Sequence, residues 1–304
     1  DWSSDVCSSD LILGGRIDNH NRLGTFVTPR LHLRYNPWAK AVVRFSAGRG
    51  KRSANIFAEN QSLFASSRAF SILDTNGKMY GLNPEIAWNY GTSFTQSFML
   101  FGKSADVTLD WYRTDFQNQV VVDVMQSPQQ ALFYNLKGKS FANSFQIEFN
   151  YEMVKNLRLR SAYKMYDVQT DYLSGTFQKP LQAKNRFFGN LEYETTSFAN
   201  PKHWKFDFTY NWIGEQQLPN TQSNPNAERL PQFSPAYSLM NAQITRVFSS
   251  KFEVYVGGEN IGNYTQSKAI LGAENPFGST FDSSIVYAPV FGQMYYAGLR
   301  FKIK

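Results

Sequence analysis

Between Trp204 and Trp212 the chain reads WKFDFTYNW, and this run restricts the available folds more than any other feature. Trp204, Phe206, Phe208, Tyr210 and Trp212 recur at every second position, opposed by Lys205, Asp207, Thr209 and Asn211. A helix advances about 100° per residue and would scatter these rings around its axis, whereas successive strand residues point to opposite faces. The segment is therefore a strand with one aromatic and one polar face. Its aromatic face needs a cover, either a second sheet or lipid, and tryptophan at both ends is the pattern of a lipid-facing strand with interfacial girdles.

The alternation recurs along the chain. Leu31, Leu33 and Tyr35 oppose Arg30, His32 and Arg34; Val107, Leu109 and Trp111 oppose Asp106, Thr108 and Asp110. Phe145, Ile147, Phe149 and Tyr151 oppose Gln146, Glu148 and Asn150, and Phe252, Val254 and Val256 oppose Glu253 and Tyr255. Charge collects on one face, which a barrel would turn to its lumen. The 304 residues hold 26 Phe and 17 Tyr, yet mean hydropathy is only -0.42. No apolar run approaches the roughly 18 residues of a membrane helix. A transmembrane strand needs apolar residues only at alternate positions, so an all-β membrane barrel fits both observations.

The opening DWSSDVCSSDL resembles the in-frame translation of a sequencing adapter. Residues 1–10 are expected to lie outside the fold, leaving 11–304 as barrel. Cys7, the one cysteine, falls in that stretch, so disulfide chemistry is not expected. Without Asp1, Asp5 and Asp10 the 24 acidic residues fall to 21, and the net charge rises from +7 to +10.

Connections alternate in length. Short turns are expected near 36–40, 101–104, 154–156, 197–203 and 248–251. Long polar stretches are expected near 49–82, 116–143, 167–183, 214–236 and 260–289, giving about twelve strands with every second connection long. Short turns on one side and long loops on the other are the outer-membrane arrangement.

Catalytic chemistry finds no support. His20, His32 and His203 have no carboxylate or cysteine at metal-ligand spacing, so neither a metal nor a cofactor is expected. The glycines at 48, 50, 257 and 258 open no helix after a parallel strand and read as bends. Arg44, Arg49, Lys51 and Arg52 read as a basic cluster at the top of one strand, a candidate contact for an anionic ligand, a plug or lipopolysaccharide phosphates. Basic residues alternate through lumen positions instead of forming a stripe with stacking aromatics, so a nucleic-acid partner is not expected. Tyr80, Phe133, Tyr134, Phe177, Phe233 and Phe277 are loop aromatics that a ligand could use.

The chain closes on YAGLRFKI, with Tyr295, Ala297, Leu299, Phe301 and Ile303 on one face. This resembles the closing strand of outer-membrane barrels, with Tyr296, Gly298, Phe301 and Ile303 at the motif positions that act as the assembly signal. Phe301 and Ile303 would face the barrel-assembly machinery, and Gly298 would permit close backbone approach.

Further stretches carry a resemblance to TonB-dependent receptors, within the large type that often bears a carboxypeptidase-like regulatory segment. They are GGRIDNHN (14–21), TPRLHLRYNP (28–37), RFSAGRGKRSANIFAEN (44–60), LNPE (82–85), WNYG (88–91), DWYRTDFQNQVVVD (110–123), GGENIGNY (257–264) and NPFG (275–278). The resemblance implies a barrel of about 22 strands around an N-terminal plug. This chain would be the C-terminal part of that barrel, an open curved half-barrel lacking the plug and the first strands. It also implies nutrient uptake across the outer membrane of a Gram-negative cell, energised by TonB through the N-terminal part, with a surface lipoprotein as a further partner. The competing readings are a complete twelve-stranded barrel, as a pore or a hydrolase, and a soluble β-sandwich that binds carbohydrate.

Overall fold

Wherever the alternation persists, the backbone runs as strand. The computed structural model describes residues 9–195 and 202–303, so Cys7 and most of the expected 197–203 turn lie outside the described residues. The strands in order are β1 (Ser9–His20), β2 (Gly24–Tyr35), β3 (Ala41–Arg52), β4 (Ala69–Ile72), β5 (Glu85–Leu100), β6 (Lys103–Asn118), β7 (Val120–Asp123) and β8 (Gln130–Asn135). There follow β9 (Ser140–Val154), β10 (Leu157–Tyr172), β11 (Gly175–Gln178), β12 (Asn185–Glu194), β13 (His203–Ile213), β14 (Tyr237–Val247), β15 (Phe252–Glu259) and β16 (Met294–Phe301).

One antiparallel sheet of 13 strands forms a wall in the order β1-β2-β3-β5-β6-β9-β10-β12-β13-β14-β15-β16, with β11 folded back on β10. Strands β1 and β16 are its two edges, so the sheet is open, as the sequence led us to expect, and is not the closed twelve-stranded barrel of the alternative reading.

Register carries the two-faced pattern from strand to strand. Tyr193, Phe206, Ile244, Val256 and Ala297 form one apolar row across β12 to β16, and Glu192, Asp207, Gln243, Gly257 and Tyr296 form the adjacent polar row. Because the side-chain period is two, a slip of one residue would turn every strand inside out, and the continuity of the pattern pins the pairing. Trp204, Phe206 and Phe208 remain 42%, 39% and 37% exposed, so no second sheet covers that face and the sandwich reading falls.

Tight turns close one end of the wall. Between β5 and β6 the chain reverses in two residues, Phe101 at φ 49° and Gly102 at φ 75°. Positive φ at both positions matches the twist of a two-residue hairpin, and glycine takes it without steric cost. Long connections gather at the other end, with one departure: β1 and β2 are joined there by only 21–23. The imidazole of His20 shapes this turn, its Nδ1 accepting from the backbone N–H groups of Arg22 and Leu23 at 3.1 and 3.2 Å.

A wall one layer thick buries little, and the hydrophobic core sits in the long connections instead. β4, β8 and β7 form a separate three-stranded sheet. Ile56, Leu63, Leu82, Val120, Val124, Ala131 and Phe133 pack together there, and Leu218, Leu230, Leu271 and Ile285 form a second cluster.

Candidate functional site

These cores make the long connections into a cap with defined structure. Arg68, 4% exposed, joins three of them. Its Nε donates to Asp282 Oδ2 at 2.9 Å, and its Nη1 donates to the carbonyls of Ser127 and Gln130 at 3.0 and 3.2 Å. Asp282 accepts in turn from the backbone N–H and hydroxyl of Ser284. Backbone bonds from Ser67 to the Phe281 carbonyl and from Ser283 to the Ala65 carbonyl flank the ion pair. A fourth connection is tied in by Gln129 Nε2 to Asn224 Oδ1 at 2.8 Å and by the Asn220 N–H to the Val124 carbonyl at 3.2 Å.

A second buried carboxylate, Asp123, is 1% exposed. It accepts from the Met125 N–H at 2.9 Å, the Tyr134 hydroxyl at 3.1 Å and the Ser174 hydroxyl at 3.2 Å. Burial, with Asp123 beside it, pushes the Tyr134 hydroxyl well above the usual tyrosine range, so it stays protonated and donates. Its oxygen accepts from the Leu173 N–H at 2.9 Å, which ties the β10–β11 hairpin to the cap.

The loop aromatics divide by burial. Phe133 (0% exposed) and Tyr134 (4%) are core residues of β8 rather than ligand-facing tips. Tyr80 packs edge-on against Phe57, which joins Phe64 and Phe70 in an aromatic cluster on the outer surface. Phe177 lies beside Tyr172, Phe233 is partly exposed, and Phe277 is fully exposed.

Of the basic residues 44, 49, 51 and 52, the last three border one cleft with Arg16 and Arg30, and Arg44 stands apart. Arg49 and Lys51 share the apolar side of β3 with Val43, Phe45 and Ala47, while Arg44 and Arg52 lie on the polar side. Arg49 Nε donates to Gln117 Oε1 at 3.2 Å, and Lys51 Nζ sits 4.7 Å over the Phe26 ring. Arg52 pairs with Glu59 at 2.9 Å and Glu85 at 2.6 Å. Arg44 stands near the tight-turn end, opposite Arg34. The two-residue period of the strand puts Arg44 and Arg52 on one side and Arg49 and Lys51 on the other, with 49, 51 and 52 meeting at one cleft.

At the closing strand, Phe301 and Ile303 are 60% and 88% exposed, and Phe301 continues the apolar face. Tyr296 and Gly298 lie on the polar face. The space above Gly298 is taken by the Tyr255 ring, and the Tyr296 ring fills the space above Gly257, so each glycine seats an aromatic of the adjacent strand. The Tyr296 hydroxyl donates to Gln243 Oε1 at 3.0 Å. On β13, Tyr210 and Trp212 continue the face of Trp204, Phe206 and Phe208 toward the cap. Among the described residues no group of His, Cys, Asp and Glu side chains could hold a metal ion.

Sequence reasoning missed Arg68 and Asp282, separated by 214 residues, because nothing in either local sequence signals the other.

The family model for the TonB-dependent receptor-like β-barrel matches residues 2–261. Among solved structures, a ferric enterobactin receptor (PfeA) mutant from Pseudomonas aeruginosa superposes with a TM-score of 0.64 at 12% identity, over 96% of this chain and 42% of that one. The siderophore receptor PirA from Acinetobacter baumannii gives 0.66 at 15% identity, over 97% and 43%. The FpvAI–pyocin S2 complex gives 0.65 at 14% identity, over 96% and 35%. The chain thus spans less than half the length of these structures. No curated protein matches it.

Proposed function

This chain belongs to the TonB-dependent receptor family, and we propose that it supplies barrel wall, outer loops and assembly signal to an outer-membrane receptor for energised nutrient uptake. The observation that carries this reading is the wall itself, a two-faced antiparallel sheet with tight turns at one end and a structured cap at the other. Its apolar face meets lipid, its polar face lines the lumen, and the cap stands outside the cell. The family works as transporters and not as enzymes, so the wall and cap bind and admit cargo without transforming it.

Cells carrying the whole receptor, offered labelled ferric siderophores, cobalamin and oligosaccharides in turn, are expected to take up one of them only while TonB and the proton gradient are intact. Uptake that persists without TonB would contradict the reading.

In the proposed assembly signal, Tyr296, Gly298, Phe301 and Ile303 are recognised by the barrel-assembly machinery. The motif forms the edge strand β16, which leaves its outer hydrogen-bonding groups available to a pairing strand. Deleting residues 296–304 from the whole receptor should abolish membrane insertion, read as loss of the heat-modifiable band in outer-membrane fractions. A normal band in that variant would sink the assignment. Arg49 and Lys51, facing outward above the apolar rows, are proposed to meet lipopolysaccharide phosphates. Arg44 and Arg52, on the luminal side, are proposed to meet cargo or plug.

A further inference from the structure

The luminal face of β2 and β3 carries a row of cations beside a glycine-lined cleft. Along β2, Arg30, His32 and Arg34 occupy successive luminal positions, and Arg44 of β3 stands directly opposite Arg34. All four side chains are exposed. Among the described residues the side chains of Arg30, Arg34 and Arg44 make no ion pair or hydrogen bond, and Arg44 is bonded only through its backbone, its carbonyl accepting from the Thr92 hydroxyl. Asp10, opposite Arg34 in β1, makes no ion pair with it. Like charges directly opposed on a sheet are destabilising, so an Arg34–Arg44 pair without a counter-charge is a cost that a bound anion would relieve.

Several other charges on the wall and its margin have partners, whereas Lys164 of β10 and Arg186 of β12 form a second opposed cation pair. Arg158 pairs with Glu192 and Glu194, Arg300 with Glu253, and Arg52 with Glu59 and Glu85. Asn150 donates to Asp106 and Glu148, and Asn190 to Asp207.

The floor around Arg30 is also unusual. Its luminal neighbours are Gly14 in β1 and Gly48 in β3, and Gly50 lies two residues beyond Gly48. A Cβ at Gly50 would meet nothing within 4 Å, and one at Gly48 would come no nearer than 3.5 Å to Arg30 or Pro29. Packing against a neighbour therefore does not require these glycines, and their effect is to leave room beside a guanidinium. The resulting cleft, of ≈ 270 Å³, is lined by Arg30, His32, Asn89 and the 46–50 segment of β3, Arg49 included. Asn89, whose Nδ2 donates to Thr114 Oγ1 at 2.8 Å and to the Arg113 carbonyl at 3.4 Å, lies at the rim. At about 3.4 Å per residue, Arg34 and Arg44 stand roughly 14 Å further toward the tight-turn end.

We propose that this strip is an anion-binding station on the lumen wall, with Arg30 and its glycine cleft as the primary seat and Arg34 with Arg44 as a second seat on the periplasmic side. The ligand class is a small carboxylate- or phosphate-bearing anion. A planar guanidinium donates two parallel hydrogen bonds to either group, and the paired Arg34 and Arg44 suit an anion carrying more than one charge. This holds whichever nutrient the outer loops select, and its test does not depend on uptake.

The whole receptor, purified in detergent, is titrated with citrate in one arm and inorganic phosphate in the other by isothermal calorimetry at low salt. At least one probe is expected to bind, with affinity falling as salt rises. The triple variant R30Q/R34Q/R44Q is expected to bind at least tenfold more weakly. R30K should keep most of the affinity for phosphate and lose more of it for citrate, where bidentate geometry matters. R160Q, which removes a luminal arginine that stands between Asn150 and Asn190 in the register, should bind as the parent does. All the exchanged residues are exposed, and an unchanged heat-modifiable band identifies folded variants. Tighter citrate binding assigns a carboxylate ligand, and tighter phosphate binding assigns a phosphate ligand. Failure of both probes to bind the parent, or equal binding by the triple variant, overturns the station.

Discussion

Replacing Arg68 by Met in the whole receptor is expected to destabilise the cap by about 3–5 kcal/mol, the usual cost of leaving one member of a buried ion pair unpaired. Asp282 would keep its bonds from Ser284 but lose its cation, and the carbonyls of Ser127 and Gln130 would lose a donor at the same time. Three connections should loosen together. Hydrogen exchange would show faster exchange at 65–73, 127–130 and 279–284, while the tight-turn end of the wall stays protected. The double variant R68M/D282N should recover part of the loss, because replacing both members of a buried pair costs far less than removing one. Unchanged exchange in R68M would mean that the backbone bonds alone hold the cap together.

The Phe133→Ala exchange should be of similar size, about 3–5 kcal/mol, and confined in space. Phe133 is fully buried in β8, packs on Phe70 at a ring distance of 5.7 Å and lies in the cluster with Ile56, Leu63 and Leu82. Removing the ring leaves a cavity in the part of the molecule where a hydrophobic core exists at all. The three-stranded sheet should become open to protease while the wall keeps its heat-modifiable band. Loss of both at one denaturant concentration would show instead that wall and cap form a single cooperative unit.

What the sequence revealed follows the distance over which its signals act. Strand period is local, and the faces of β13, β9 and β16 could be read from runs such as Trp204–Trp212 because pairing preserves that period. The last long stretch was expected to end near residue 289, but the closing strand begins only at Met294 and runs to Phe301. The preceding residues serve the cap, where Gln266 accepts from the N–H groups of Tyr287 and Ala288.

The same period, applied one step further, divides the basic residues of β3. Arg49 and Lys51 belong to one face and Arg44 to the other, while Arg49, Lys51 and Arg52 still border one cleft at the end of the strand. Phe133 and Tyr134 were read as loop tips because β8 is a short strand whose parallel partner β4 lies across a long sequence gap. The Arg68–Asp282 pair and the Asp123–Tyr134–Ser174 set are tertiary in the same sense. Each residue is unremarkable in its own stretch, and only the fold brings the set together. The unpartnered arginines of β2 and β3 also needed the register, since the opposition of Arg34 to Arg44 is a fact of pairing.

Spin labels placed singly at residues 205 to 209 of the whole receptor, reconstituted in bilayers, test the central claim most directly. The account predicts high oxygen and low nickel-chelate accessibility at 206 and 208, and the reverse at 205, 207 and 209, because alternate residues of β13 meet lipid and lumen. Labels at 206 and 208 shielded from both reagents, or accessibility without a two-residue period, would contradict it.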